Sequence, residues 1–271
     1  MAEKHEYTEC YGGSVELLAE VRCLSTCLEQ SITRAQHPHV HTMGCCCSCF
    51  PSAPSPEEFL VDQPEGANSI VPGFPRHVHV DCVYKCANRR MLSIVDPNTG
   101  VPYAFVHMPE PYSFGQGATI VDAAGQPLVY LNTGELEPKH GIMSSSYKIY
   151  SPNRPLFEGQ LPVPPNTPFA VPGSYLWATV VRRPFSNECV ATGAHMHELG
   201  RGQLYMGFPP HSFTFARSDK TGALWCGKTA DGKRNDIRAA GGVDALLLIC
   251  VKFARDLADE ELMDNHNHNH N

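Results

Sequence analysis

The stretch Gly241-Gly-Val-Asp244-Ala-Leu-Leu-Leu-Ile-Cys-Val251-Lys-Phe-Ala-Arg-Asp-Leu-Ala-Asp-Glu-Glu-Leu262 decides the fold of this chain. From Ala245 to Leu262 it contains no Gly or Pro, and Asp244 stands where a helix N-cap belongs. A helix of about eighteen residues spans about 27 Å at 1.5 Å per residue. Ala245 to Val251 is apolar at every position, so those first turns have no face to offer water and must be surrounded. An apolar run of this length also suits a buried strand, and what the rest of the chain offers as a surround separates the two readings.

Upstream, from about Val78, the hydrophobic period becomes two, as in His77-Val78-His79-Val80 and, more loosely, Met91-Leu92-Ser93-Ile94-Val95. A unit then recurs in which an apolar run meets a polar turn and a second apolar run follows. It appears at Ile94 to Val101 around Asp96-Pro-Asn-Thr-Gly100, and at Ile120 to Leu131 around Asp122-Ala-Ala-Gly125. Looser copies run from Tyr147 to Phe157, without a Gly, and from Phe213 to Trp225. Each reads as a hairpin in which Asp or Asn bonds its own backbone and Gly, where present, accepts positive φ. Strands in such series, with no helical period between them, predict an antiparallel sandwich or barrel. In a β-rich chain the surround for the apolar helix is a sheet wrapped around it.

Composition agrees. Of 271 residues, 23 are Pro and 22 are Gly, an excess suited to many short elements joined by turns, while the 42% hydrophobic fraction still supports a core. The net charge of −7 gives no footprint for phosphate backbones, so nucleic acid is not expected as a partner. Met1-Ala-Glu-Lys-His-Glu6 lacks the apolar region of an export signal, which points to the cytoplasm and to cysteines that are reduced, metal-bound or modified. No apolar run reaches the roughly 18 residues that cross a bilayer.

The repeated hairpin and the segment Val243-Asp-Ala-Leu-Leu-Leu-Ile-Cys-Val-Lys-Phe253, continuing to Leu257 and Leu262, resemble the tubby-like C-terminal superfamily, which includes phospholipid scramblases and LURP-one-related proteins. The resemblance covers about Val78 to Met263. It implies a twelve-stranded antiparallel barrel closed around a hydrophobic C-terminal helix, and a non-enzymatic protein that meets membrane phospholipid. Scramblases carry a thioacylated cysteine-rich stretch. Cys45-Cys46-Cys47-Ser48-Cys49 is similar in composition, although here it precedes the barrel. The acidic calcium segment of scramblases has no counterpart in this chain. A helix that fills a barrel cannot also span lipid.

The expected fold class is therefore mainly β, an antiparallel barrel enclosing a hydrophobic C-terminal α-helix, with a partly helical or disordered N-terminal region. The expected divisions are an N-terminal Cys/His/Pro-rich region at 1–75, the barrel at 76–263 and a His-Asn tail at 264–271. The N-terminal region opens with a helix expected over Ser14 to Ile32. It continues through His37-Pro-His39-Val-His41 and the cysteine block to a linker-like Phe50-Pro-Ser-Ala-Pro-Ser-Pro56. Residues 1–80 hold 4 basic and 10 acidic residues, so most of the acidity lies there.

Cys45, Cys46, Cys47 and Cys49 are the lipidation candidates, because thiols on an accessible segment accept acyl chains and two or more chains anchor firmly. The competing expectation is a soluble interaction or structural module in which this Cys/His region holds zinc. Cys46 and Cys49 have CxxC spacing, whereas Cys23/Cys27 and Cys82/Cys86 are CxxxC. Asp96 to Gly100 begins like a calcium loop, but Val101 replaces the required Gly and His107 the required Glu, so a plain turn is expected. His195-Met-His197 beside Glu198 reads as a polar strand edge, and only a pocket gathering these groups would support an enzyme. Neither a Gly-x-Ser-x-Gly elbow nor a phosphate-cradling Gly loop is present, so no catalytic residue, cofactor or metal ligand is assigned. Arg182, Arg183, Lys228, Lys233, Arg234 and Arg238 are candidates for a head-group patch, with scattered solvated charges as the preferred reading. Cys189, Cys226 and Cys250 read as core.

Overall fold

The computed structural model describes residues 52–64, 71, 73–86, 89–109, 117–133, 137–139, 142–167, 170–182, 186–205 and 212–268. The helix expected over Ser14 to Ile32 and the His37 to Cys49 stretch lie outside them. The chain divides into compact units at 1–51 and 52–271, and only the second is described here.

Among the described residues thirteen strands succeed one another: β1 His77–Cys86, β2 Arg89–Val95, β3 Pro102–Pro109, β4 Ala118–Asp122, β5 Pro127–Thr133, β6 Glu137–Lys139 and β7 Ile142–Ser151. They continue with β8 Tyr175–Arg182, β9 Glu188–Gly193, β10 Glu198–Tyr205, β11 Ser212–Arg217, β12 Gly222–Lys228 and β13 Asn235–Ala239. A short helix α1 (Pro56–Phe59) precedes them and a long helix α2 (Ala245–His268) follows. Neighbours in sequence pair antiparallel, apart from β5 and β6. Two pairings close the ring: β13 against β1, with His77 opposite Arg238, and β5 against β7, with Tyr130 opposite Tyr150. Twelve strands thus make a closed antiparallel barrel, and β6 is an extra edge on β7. This is the expected fold class, and the buried-strand reading of Ala245 to Val251 gives way to a helix.

Eight strands enclose a lumen that side chains alone can fill; twelve enclose a wider one, which needs an element about 10–12 Å across. Helix α2 supplies it. Every residue from Ala245 to Val251 is buried, and Phe253, Ala254, Leu257 and Ala258 continue the contact. They join one core with inward-facing Val78, Val80, Ile94, Val106, Ile120, Leu131, Ile149, Phe213, Phe215, Leu224 and Ile237 of the wall. The alternate positions of β1, His77, His79 and Asp81, face outward, the reverse of the apolar-out pattern of lipid-embedded barrels.

Asp244 caps the helix as its position predicts: its Oδ1 accepts from the Leu247 amide at 2.8 Å and its carbonyl from the Leu248 amide at 3.2 Å. Beyond its apolar turns α2 carries charge, and among the described side chains from Lys252 to Asp259 the charges are paired. Lys252 pairs with Asp256, buried Arg255 with Asp259, and Arg182 on the wall with Asp259. The helical backbone runs to His268, so it takes in part of the His-Asn ending that composition set apart from the fold.

Three of the four repeated units are hairpins. Asp96 Oδ1 accepts from the Asn98 amide at 2.6 Å and the Thr99 amide at 3.1 Å, while Oδ2 accepts from the Tyr103 hydroxyl at 2.9 Å. Those bonds, the Asn98 amide first, hold the Asp96 carboxyl below its usual range, and a carboxylate so engaged is a turn element, as expected. Asp122 and Asp219 act likewise on Ala124 and Thr221. The unit at Tyr147 to Phe157 is not a hairpin. After Ser151 the chain runs irregularly until β8, because it has Pro155 and no Gly at the return; the Arg154 carbonyl accepts instead from Trp177 Nε1 at 2.8 Å.

The compact unit also takes in Pro54 to Gln63, which composition places in the N-terminal region. Ser55 caps α1 in a reciprocal capping box with Glu58. The Pro54 carbonyl accepts from Trp225 Nε1 at 2.9 Å, Leu60 forms a parallel bridge to Gly222, and the Gln63 amide donates to the Gly241 carbonyl at 2.8 Å. This strap crosses β12 so closely that a Cβ on Gly222 would lie 1.8 Å from the Phe59 carbonyl oxygen.

Two outcomes are expected from denaturant unfolding. Leu246→Ala should lose about 2–5 kcal/mol, the range for a large-to-small change in a tightly filled core. Gly222→Ala should lift the strap, which limited proteolysis would register as new cleavage between Pro54 and Gln63 while the barrel stays folded.

Candidate functional site

The described residues bring titratable groups together on the outer wall where the first and last strands meet. The period of two puts His77 and His79 on one face of β1, and the register sets His79 opposite Asp236 of β13. Their neighbours Val78 and Ile237 point into the core. The Asp236 carboxylate can only accept, so His77 Nε2, 2.8 Å from Oδ1, donates to it. His79 Nε2 lies 3.7 Å from the same oxygen, too far for a hydrogen bond. The imidazoles meet edge to face, with centroids 5.6 Å apart.

Arg238 fixes the other carboxylate oxygen. Its Nε and Nη2 lie 3.1 Å and 3.0 Å from Asp236 Oδ2, and its Nη1 donates to Glu57 of the strap at 2.8 Å. Exposure falls inward along the cluster: the side chain of His77 is 44% exposed, that of His79 18% and that of Asp236 10%. The one-ligand-each atoms of His77, His79 and Asp236 all lie within 4.8 Å of one another. Two imidazoles and a carboxylate in that relation can hold a divalent metal. No metal ligand was assigned from the sequence. The local signal is the His-x-His spacing at 77–79; Asp236, 159 residues away from His77, has none.

The other candidates are dispersed. His195 and His197 sit in the exposed turn between β9 and β10 and not on a strand edge, with Met196 at φ 62° and 85% exposed. His195 stacks on Phe157, with centroids 3.7 Å apart, and Glu198 is taken by Arg201 at 2.9 Å. These groups do not gather around a pocket. A shallow, open cleft of about 330 Å³ lies elsewhere, lined by Met91, Phe105, His107 and Val121 among others. Of the basic candidates, Arg182 pairs with Asp259, Arg234 with Asp81 at 3.1 Å, and Arg238 with Asp236 and Glu57. These three are neutralised in pairs along the wall.

Cys189, Cys226 and Cys250 are buried, as expected for core. Burial pushes the Cys189 thiol up to about 12 and the Cys226 thiol up to about 11, and it raises that of Cys250 well above its usual value. Cys45, Cys46, Cys47 and Cys49 lie outside the described residues, and so does Arg183.

No family model matches this sequence, and no curated protein matches it. Among solved structures, the crystal structure of a protein from Arabidopsis thaliana is similar at a TM-score of 0.42 and 12% identity, covering 71% of this chain and 99% of the other.

The three buried thiols should resist alkylation in the native protein at pH 8 and react once it is unfolded, which peptide mass mapping would read. As pH rises from 9.0 toward 11 the unfolded chain releases thiol protons that the folded chain keeps, so stability should fall through that window. Unchanged unfolding midpoints across it would contradict this placement of the thiols.

Proposed function

We propose that this chain is a tubby-like barrel protein of the scramblase and LURP-one-related kind, non-enzymatic, acting at the membrane surface and held there by S-acylation of Cys45, Cys46, Cys47 and Cys49. The observation that carries the reading is the use of the apolar turns of helix α2 as core. The apolar turns from Ala245 to Val251 are buried on all sides, so the longest apolar segment of the chain is not available to lipid. Among the described residues no helix is long and apolar enough to cross a bilayer. On this reading, contact with phospholipid comes from an added anchor. Chemistry narrows the choice of anchor, because buried thiols of raised pKa are poor nucleophiles and acyl acceptors. That sets Cys189, Cys226 and Cys250 aside and favours the block at 45–49. Two acyl chains hold a protein at a bilayer where one does so only transiently.

Acyl exchange on protein expressed in eukaryotic cells tests the reading. The expected result is a hydroxylamine-sensitive mass shift of two or more acyl groups on the peptide carrying Cys45 to Cys49. Serine at those four positions should move the protein from the membrane to the soluble fraction. Unmodified thiols in a wild-type protein that fractionates as soluble would sink the anchor.

A further inference from the structure

We propose that His77, His79 and Asp236 form a binding site for a divalent transition metal of the zinc class, which pins strand β1 to strand β13. The proposal is independent of acylation, since it rests on the wall of the barrel alone.

The three donors converge. Asp236 Oδ1 lies 2.8 Å from His77 Nε2 and 3.7 Å from His79 Nε2. In a tetrahedral site with bonds of about 2.0–2.2 Å, neighbouring ligand atoms are about 3.3–3.6 Å apart. The two distances to Asp236 bracket that separation, and all three ligand atoms lie within 4.8 Å of one another, so side-chain rotation without a change of backbone register brings them onto one ion. The backbone register already fixes the rest, because His79 and Asp236 are opposite partners in a hydrogen-bonded ladder.

His79 supplies a second argument. Its Nδ1 is buried with no hydrogen-bond partner, and its Nε2 is too far from Asp236 to bond directly. Nε2 is therefore the nitrogen of this ring that faces the carboxylate and can take a ligand there. A cation between His79 Nε2, His77 Nε2 and Asp236 Oδ1 engages the His79 nitrogen that faces the carboxylate, leaves that ring's proton on Nδ1, and takes the place of the proton now shared by His77 and Asp236.

Arg238 completes the arrangement as a positioning residue. By holding Oδ2 with two N–H groups it presents Oδ1 alone toward the imidazoles, as outer partners of metal-bound carboxylates do. The donor set selects the metal. Two imidazoles suit zinc and its neighbours, whereas one carboxylate is too little oxygen for calcium or magnesium. Three protein ligands leave a fourth position for water on the side where His77 is exposed. The bound ion joins residues 159 apart in sequence and so closes a long loop in the unfolded chain, the situation in which a clip adds most to stability.

The test uses the full chain, stripped with chelator and titrated with zinc chloride alone, with metal content and unfolding temperature as the two readouts. Wild type should rise in unfolding temperature with zinc. His77→Gln, His79→Gln and Asp236→Asn should each lose one equivalent and that rise. Arg238→Met should keep the equivalent but bind it about 10–100-fold more weakly. The variant with serine at Cys45, Cys46, Cys47 and Cys49 should keep both equivalent and rise, and the His-Asn ending contributes the same background throughout. His77→Gln removes a half-exposed ring, so it keeps the test open should the two more buried variants fail to fold. The proposal is overturned if zinc leaves the wild-type unfolding temperature unmoved. It is overturned equally if His77→Gln retains the equivalent and the rise, or if the equivalent disappears only with the cysteines.

Discussion

A ring of twelve strands cannot fill its own interior, and every other feature of this molecule answers to that constraint. Side chains from opposite walls do not meet across such a lumen. Helix α2 fills the gap and must be apolar at every azimuth where it does so, which is why Ala245 to Val251 offers no polar face. Where the helix carries charge, from Lys252 to Asp259, it does so as paired groups tied to Arg182 of the wall. Pairing is what makes a charge tolerable at such depth, Arg255 being almost wholly buried.

The same constraint shapes the outside. With the interior spoken for by its own helix, recognition chemistry is left to the wall and the turns. The wall is least uniform at the seam between β1 and β13, where the strap from Pro54 to Gln63 crosses β12 and Glu57 reaches Arg238. There outward positions that elsewhere need only be polar carry two imidazoles, a nearly buried carboxylate and a guanidinium within contact of one another. At both strap and seam, residues far apart in sequence meet.

The sequence was most legible where one residue type answered a local need. Asp244 as a cap, Asp96, Asp122 and Asp219 as turn formers, and the three buried cysteines could be read within a few residues of themselves. The Tyr147 to Phe157 unit misled because its apolar flanks look like a hairpin, while Pro155 and the missing Gly deny the chain a tight return. The strap shares only Pro54 to Pro56 with the linker-like stretch Phe50 to Pro56, and its anchors are backbone groups and a Trp225 indole that composition does not reveal. The His77, His79 and Asp236 cluster needed the β1 to β13 register, a non-local fact; within one strand only the His-x-His alternation was visible. The His195 to His197 pair shows the converse, the same spacing spent on an exposed turn.

The position of the core element in the chain has a consequence for how the protein is made. All thirteen strands leave the ribosome before α2, so the apolar lining of the ring is synthesised well ahead of the helix that covers it. A nascent chain at that stage holds many strand edges and an inward face with nothing to bury against, the condition under which chains associate wrongly. The interval between β13 and the last turn of α2 is therefore when the lining of the ring has least to bury against.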